Sequence, residues 1–215
     1  MIEVSGLSVS YGEREVLSDL SLAVERGQTL AAVGESGTGK TTLGLALMGL
    51  LGERADDISV SGDIRVEGWD VNSLSGDELR ALRWQTIAMV FQNAEGALNP
   101  VHTVFRQVRE PVVSHGAPDE AAERRAREVL EQVGYPMERF DAYPHELSLG
   151  ERQRVLIAMA FACDPEVVVL DEPTSALDVL SQREVSRLLH RLCRDRTALV
   201  ITHDLSAAAH LSDRT

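Results

Sequence analysis

Residues 34–41 read Gly34-Glu35-Ser36-Gly37-Thr38-Gly39-Lys40-Thr41, GESGTGKT, between the apolar run Thr29-Leu30-Ala31-Ala32-Val33 and the apolar stretch 43–51. A glycine-rich segment between a strand-like and a helix-like run is the pattern of a phosphate-binding loop. Gly34, Gly37 and Gly39 let the backbone turn tightly enough for successive N–H groups to face phosphate oxygens, at a helix N-terminus whose dipole favours anions. Lys40 supplies a point charge for the terminal phosphates. The Thr41 hydroxyl is placed to ligate Mg²⁺, which prefers oxygen ligands and shares them with phosphate. The segment therefore predicts binding of ATP or GTP, as against a glycine-rich turn that binds nothing.

Composition limits what surrounds this loop. The 215 residues are 44% hydrophobic and 26% charged, which suits a globular protein of one or two domains. The stretch 43–51 is about half of the ~20 residues a membrane helix needs, and no basic region followed by an apolar segment opens the chain. Neither a membrane span nor a secretory signal is expected. Cys163 and Cys193, both in helix-like stretches, are too few for a disulfide framework or a zinc cluster, so buried free thiols in a reducing cytoplasm are expected. A formal charge of −13 repels polyanions on average and argues against nucleic acid as the main partner. Lys40 is the only lysine among plentiful arginines, consistent with a task arginine does not perform.

Hydrophobic periodicity arranges the rest. Ile2, Val4, Leu7 and Val9, then Leu20, Leu22 and Val24, alternate as short strands and predict a small antiparallel layer beside the nucleotide core. Another alternating run covers 58–66, Ser75-Gly76-Asp77-Glu78 resembles a capping box, and 87–91 reads as a compact buried strand ending on Gln92. Strand signals then fade. Over 119–133, Ala122, Ala126, Val129, Leu130 and Val133 share one helical face, with Glu120/Arg124 and Glu123/Arg127 as expected ion pairs and Gly134 as the stop. Val167-Val168-Val169-Leu170 and Ala198-Leu199-Val200-Ile201 are continuous apolar runs of the kind buried on both faces of a parallel sheet. Between them Val185, Leu188, Leu189 and Leu192 form one stripe of a crossover helix. The predicted fold is α/β, with a mainly parallel sheet. Its discontinuous core, including the β layer, covers 1–92 and 161–215, and a helical insertion covers 93–160.

The run Val167-Val168-Val169-Leu170-Asp171-Glu172 ends a buried strand on two carboxylates, at the edge of an open parallel sheet where ligands collect. Asp171 is the candidate carboxylate behind the Mg²⁺ ligands. Glu172, one residue on, would project toward the γ-phosphate, where it can orient or deprotonate the attacking water.

With these motifs in this order the whole chain resembles the nucleotide-binding subunit of ATP-binding cassette (ABC) transporters, a P-loop ATPase fold. The resemblance also rests on Tyr11 ahead of the loop, Gln92 after its strand and Leu147-Ser148-Leu149-Gly150-Glu151 before a helix. Ser175-Ala176-Leu177-Asp178 and His203 after the last strand complete it. It implies that Tyr11 stacks on adenine, and that Gly34, Glu35, Ser36, Gly37, Thr38, Gly39, Lys40, Thr41 and Thr42 bind ATP. Glu172, Gln92 and His203 would act in hydrolysis, and Thr41, Gln92 and Asp171 would serve the Mg²⁺. Ser148, Leu149, Gly150 and Glu151 would complete the site of a second ATPase subunit, and Ser175 to Asp178 would couple two sites across a dimer. Closure of the dimer on ATP and its reopening after hydrolysis would drive alternating access in separate membrane subunits.

The segment LSLGE departs from the family pattern LSGGQ at two places. Glu151 for Gln is a mild change. Leu149 stands at the first glycine position, where a branched side chain is expected to crowd the approach to the partner's γ-phosphate. The stretches Phe91-Gln92-Asn93, Ala97-Leu98-Asn99-Pro100-Val101 and Tyr143-Pro144-His145-Glu146-Leu147-Ser148 look most like the dipeptide, oligopeptide and nickel importer branch. That branch implies a peripheral ATPase on the inner face of the cell membrane, docked on permease subunits and served indirectly by a substrate-binding protein. The family usually continues into further strands past the position of Thr215, so either the chain is shortened or its edge-strand protection and partner docking differ from the family. Two other readings stay open: a soluble, non-transport cassette ATPase, and a catalytically weak member of a heterodimer.

Overall fold

The computed structural model describes residues 1–51, 57–92 and 94–214, with only the backbone of residues 94 and 95. Asn93 and Thr215, both named above, lie outside the described residues.

The chain opens with strands β1 (Ile2–Tyr11) and β2 (Arg14–Val24), then β3 (Thr29–Val33), which leads through the glycine-rich loop into helix α1 (Lys40–Leu47). Strands β4 (Ile58–Val66) and β5 (Trp69–Asp70) return to the first layer, giving a four-stranded antiparallel sheet in the order β2-β1-β4-β5. The alternation in β1 slips between Val4 and Leu7, where Gly6 takes φ 60° and the register shifts, so Ile2, Val4, Leu7 and Val9 all reach the core.

Helix α2 (Gly76–Gln85) starts at Ser75, whose N–H donates to Glu78 Oε2 at 3.3 Å, as the capping box predicts. It ends in a kink at Arg83 and Trp84 and feeds β6 (Ile87–Val90). The strand is one residue shorter than predicted, because Phe91 turns out to solvent. A short α3 (Ala94–Ala97), α4 (Val104–Ser114), α5 (Asp119–Gln132) and α6 (Leu149–Phe161) follow, with no strand between them. Strand β7 (Val167–Asp171), α7 (Val179–Cys193), β8 (Thr197–Thr202) and α8 (Leu205–Leu211) complete the chain.

The second sheet is parallel, in the order β3-β8-β7-β6. Its two faces enter two cores. Val167, Val169, Leu199 and Ile201 pack with Leu43 and Leu47 of α1 and with Ile2, Val4 and Ile64 of the antiparallel sheet. Val168, Leu170, Ala198 and Val200 pack with Ala126, Val129 and Leu130 of α5, Ile157 of α6 and Leu189 of α7. This two-sided burial is why β7 and β8 read as unbroken apolar runs. A fully buried Val or Leu side chain contributes about 1.5–3 kcal/mol of transfer free energy, so these strands anchor the sheet edge they lead to.

Two local expectations are corrected. No ion pair joins Glu120 to Arg124 or Glu123 to Arg127 among the described residues; the Arg127 guanidinium instead lies 4.9 Å from the ring centroid of Phe105. Cys163 lies in the turn after α6 and is half-buried, while Cys193 is buried in α7. Among the described residues no helix is long and apolar enough to cross a membrane.

Candidate functional site

The loop leaves β3 and becomes the N-terminus of α1. Gly39 caps that helix at φ 91°, and a Cβ there would lie 2.7 Å from Leu17 Cδ2 and 2.8 Å from the Val16 carbonyl oxygen. Glycine is required for both conformation and space. Within the loop Thr38 Oγ1 donates to the Glu35 carbonyl at 2.9 Å, and Lys40 Nζ donates to the carbonyls of Gly34 and Glu35 at 2.7 and 2.6 Å. The first turn of α1 has no acidic side chain, so its N–H groups present an uncompensated positive end.

Parallel pairing of β7 with β8, and of β8 with β3, sets the ends of these strands beside the loop. Thr41 Oγ1 donates to Asp171 Oδ2 at 2.9 Å, across 130 positions of sequence. Asp171 is 2% exposed, and its Oδ1 is buried with no hydrogen-bond partner among the described residues. Burial holds the Asp171 carboxyl above the ordinary carboxylate range, with the Glu172 charge acting the same way against the Thr41 hydrogen bond and the Lys40 charge. A buried carboxylate oxygen without a donor costs about 1–3 kcal/mol, a cost that a divalent cation beside it would remove. The pair Thr41–Asp171 therefore fits Mg²⁺, a hard cation with oxygen ligands.

Glu172 leaves the strand at φ 47°, in the left-handed region, immediately before Pro173. Its N–H donates to the Ile201 carbonyl at 2.9 Å, and its own carbonyl accepts from the Ser175 amide and hydroxyl at 3.2 and 3.1 Å. Those bonds hold a backbone conformation that costs a glutamate roughly 1–3 kcal/mol. The side chain meets His203, which follows β8: His203 Nδ1 lies 2.6 Å from Glu172 Oε1.

A cavity of about 280 Å³ opens over these groups. Of the predicted residues Tyr11, Ser36, Gly37, Gly39, Lys40, Thr41, Thr42, Gln92, Asp171 and Glu172 line it. Arg14 and Val16 line it too and were not foreseen; the only signal was their place at the start of β2, where Arg14 pairs with Tyr11 across the hairpin.

The segments around Ser148 and Asp178 do not line this cavity. Ser148 caps α6, its Oγ accepting from the Glu151 N–H at 3.3 Å, and Leu149 is half-buried against the helical core of its own chain. Asp178 caps α7, with Oδ1 accepting from the Leu180 and Ser181 amides at 3.0 and 3.1 Å and Oδ2 from the Ser181 hydroxyl at 2.7 Å. The Ser181 hydroxyl and amide bonds lower its pKa. A Cβ on Gly150 would lie 3.6 Å from Ser181 Oγ, so the starts of α6 and α7 adjoin each other.

A family model described as ABC transporter matches residues 17–175. The oligopeptide transport ATP-binding protein OppD of Bacillus subtilis (strain 168) is 40% identical over all of this chain and 62% of its own length. OppD of Mycobacterium tuberculosis (strain ATCC 25618 / H37Rv) is 41% identical, again over all of this chain and over 36% of its own length. The chain thus spans between about one third and two thirds of the curated relatives it matches. Among solved structures, the dimeric post-hydrolysis state of the ATP-binding cassette MJ0796, bound to ADP and Pi, superposes with a TM-score of 0.84 at 29% identity. The match covers 98% of this chain and 91% of that one.

Proposed function

Because the chain belongs to the ABC transporter family, we propose that it is the ATP-hydrolysing subunit of a peptide importer, working as a dimer against separate permease subunits. The observation that carries the reading is that Thr41, Asp171 and Glu172 line one glycine-loop cavity, where Thr41 meets Asp171 and Glu172 is bonded to His203. Tyr11, half-exposed at the end of β1, stacks on the base, and residues 34–42 bind the phosphates. Thr41, Gln92 and Asp171 hold Mg²⁺, which when bound offsets phosphate charge. Glu172 accepts a proton from the attacking water. His203, hydrogen-bonded to that carboxylate, orients it and faces the γ-phosphate.

In this reading the starts of α6 and α7 complete the partner subunit's site, with Ser148, Gly150 and the α6 N–H groups toward the γ-phosphate and Ser175 to Asp178 along the interface. The chain divides into a nucleotide core, 1–92 with 161–215, and a helical part, 93–160. That part exposes the apolar side chains of Val101 (73%) and Met137 (55%), and Phe91 lies exposed just before it, residues suited to contact with permease subunits at the inner face of the membrane. Peptide as the substrate class rests on the names of the OppD relatives.

MgATP turnover per subunit, measured against protein concentration with Glu172→Gln as background, tests the reading. Turnover that rises with concentration supports a composite dimer site. Turnover equal to that of Glu172→Gln at every concentration overturns it.

A further inference from the structure

Glu151 puts a carboxylate on the third residue of α6, in the turn whose N–H groups would face an anion. A free negative charge there would oppose a triphosphate and partly cancel the helix dipole. Both oxygens are taken up. Oε2 accepts from the Ser148 N–H at 2.8 Å, and Oε1 is paired with the Arg139 guanidinium. Arg139 Nη2 also donates to the Glu146 carbonyl at 2.7 Å, so one fork grips the residue before the segment LSLGE and the last residue of that segment.

Arg139 is itself firmly based. It ends a 3₁₀ turn, Met137–Arg139, and its carbonyl accepts from the buried Tyr135 hydroxyl at 3.1 Å and the Ala142 N–H at 3.0 Å. The Tyr135 ring stacks on Phe140 with centroids 6.3 Å apart, and Phe140 stacks on Phe105 at 5.8 Å. Burial pushes the Glu151 pKa up, but the Ser148 amide and hydroxyl and the Arg139 charge outweigh it and leave it lowered. Glu151 is ionised at neutral pH.

We propose that Arg139 is a positioning residue for ATP hydrolysis: it holds the Glu151 carboxylate back on the Ser148 N–H and neutralises it, so that the start of α6 can accept the partner's triphosphate. The inference rests on the reading that this turn completes the partner site.

The test is ATP-driven dimerisation in the Glu172→Gln background, followed by sedimentation, together with MgATP turnover in chains carrying Glu172. Arg139→Ala is expected to weaken ATP-driven dimerisation and raise KM by roughly tenfold or more, leaving ATP binding to the monomer's own loop within about twofold. Adding Glu151→Gln to Arg139→Ala should return both readouts to those of Glu151→Gln alone, since no charge is left to neutralise. Arg139→Lys, which keeps the charge without the fork, should fall between. A double variant as impaired as Arg139→Ala alone would mean that Arg139 only holds the fold, and would overturn the proposal. A Glu172→Gln chain that binds ATP as a monomer and never dimerises on it would overturn the composite-site reading itself and this inference with it.

Discussion

Thr41 and Asp171 stand 2.9 Å apart, hydroxyl to carboxylate, although 130 positions separate them in sequence, and the second oxygen of Asp171 is buried without a partner among the described residues. Removing that oxygen's charge should weaken the metal more than the nucleotide. Asp171→Asn is expected to lower Mg²⁺ affinity by about 10–100-fold. ATP binding measured without Mg²⁺ should stay close to wild type, a difference that titration with and without the metal reads directly.

Glu172 combines the carboxylate proposed to act on water with a strained backbone. Glu172→Gln should reduce turnover by about 10²–10⁴-fold while ATP binding persists. Glu172→Gly should be equally inactive yet more stable, by about 1 kcal/mol, because glycine adopts φ 47° without strain. Thermal unfolding of the two variants checks this; a lower midpoint for the glycine variant would contradict it.

Two loop glycines are needed for different reasons. At Gly37, φ is 84° and among the described residues nothing lies within 4 Å of where a Cβ would stand, so Gly37→Ala should cost only the strain, about 1–2 kcal/mol. Gly39→Ala also drives a methyl against the Val16 carbonyl and should cost more, with loss of ATP binding. Urea midpoints with and without ATP would separate the two effects.

Glu67 reports stability through pH. Its side chain is 5% exposed and takes both the amine of Met1 and the Arg26 guanidinium. Burial alone would raise its pKa, but these cations outweigh it and bring it below the ordinary 4.5. The folded value lies under the unfolded one, so the stabilisation is complete above about pH 4.5 and fades as pH falls through the folded pKa. Glu67→Gln is expected to lose about 1–2 kcal/mol at pH 7 and to show a flatter decline than wild type on acidification, measured by thermal unfolding.

The thiols should be inert in the folded protein. Burial pushes Cys193 up to about 12 and Cys163 up to about 11, so neither supplies much thiolate at pH 8. Alkylation should reach Cys163 slowly, and Cys193 only when urea unfolds the chain.

Much of this was legible because it is local. The glycine loop, the capping box at Ser75 and the two-sided strands β7 and β8 each declare themselves within about ten residues, since backbone conformation and burial pattern repeat at short period. The failures have the same cause in reverse. Glu123/Arg127 looked like a helix pair by spacing, yet the ring of Phe105, from another helix, captures Arg127. Phe91 looked like strand, but the strand ends at Val90 and Phe91 stands partly in solvent. Arg139 carried no motif at all, and its bond to Glu151 depends on a 3₁₀ turn set by the aromatic stack beneath it.

The sequence by itself determined which groups are the candidates for phosphate, metal and proton chemistry, because glycine, lysine, hydroxyl and carboxylate at strand ends have few other uses in that order. Only the tertiary structure decided which of them touch. The order β3-β8-β7-β6 brings Thr41 to Asp171 and His203 to Glu172, and two-sided burial of those strands holds the pairs in place, a pairing that no local period of the chain encodes.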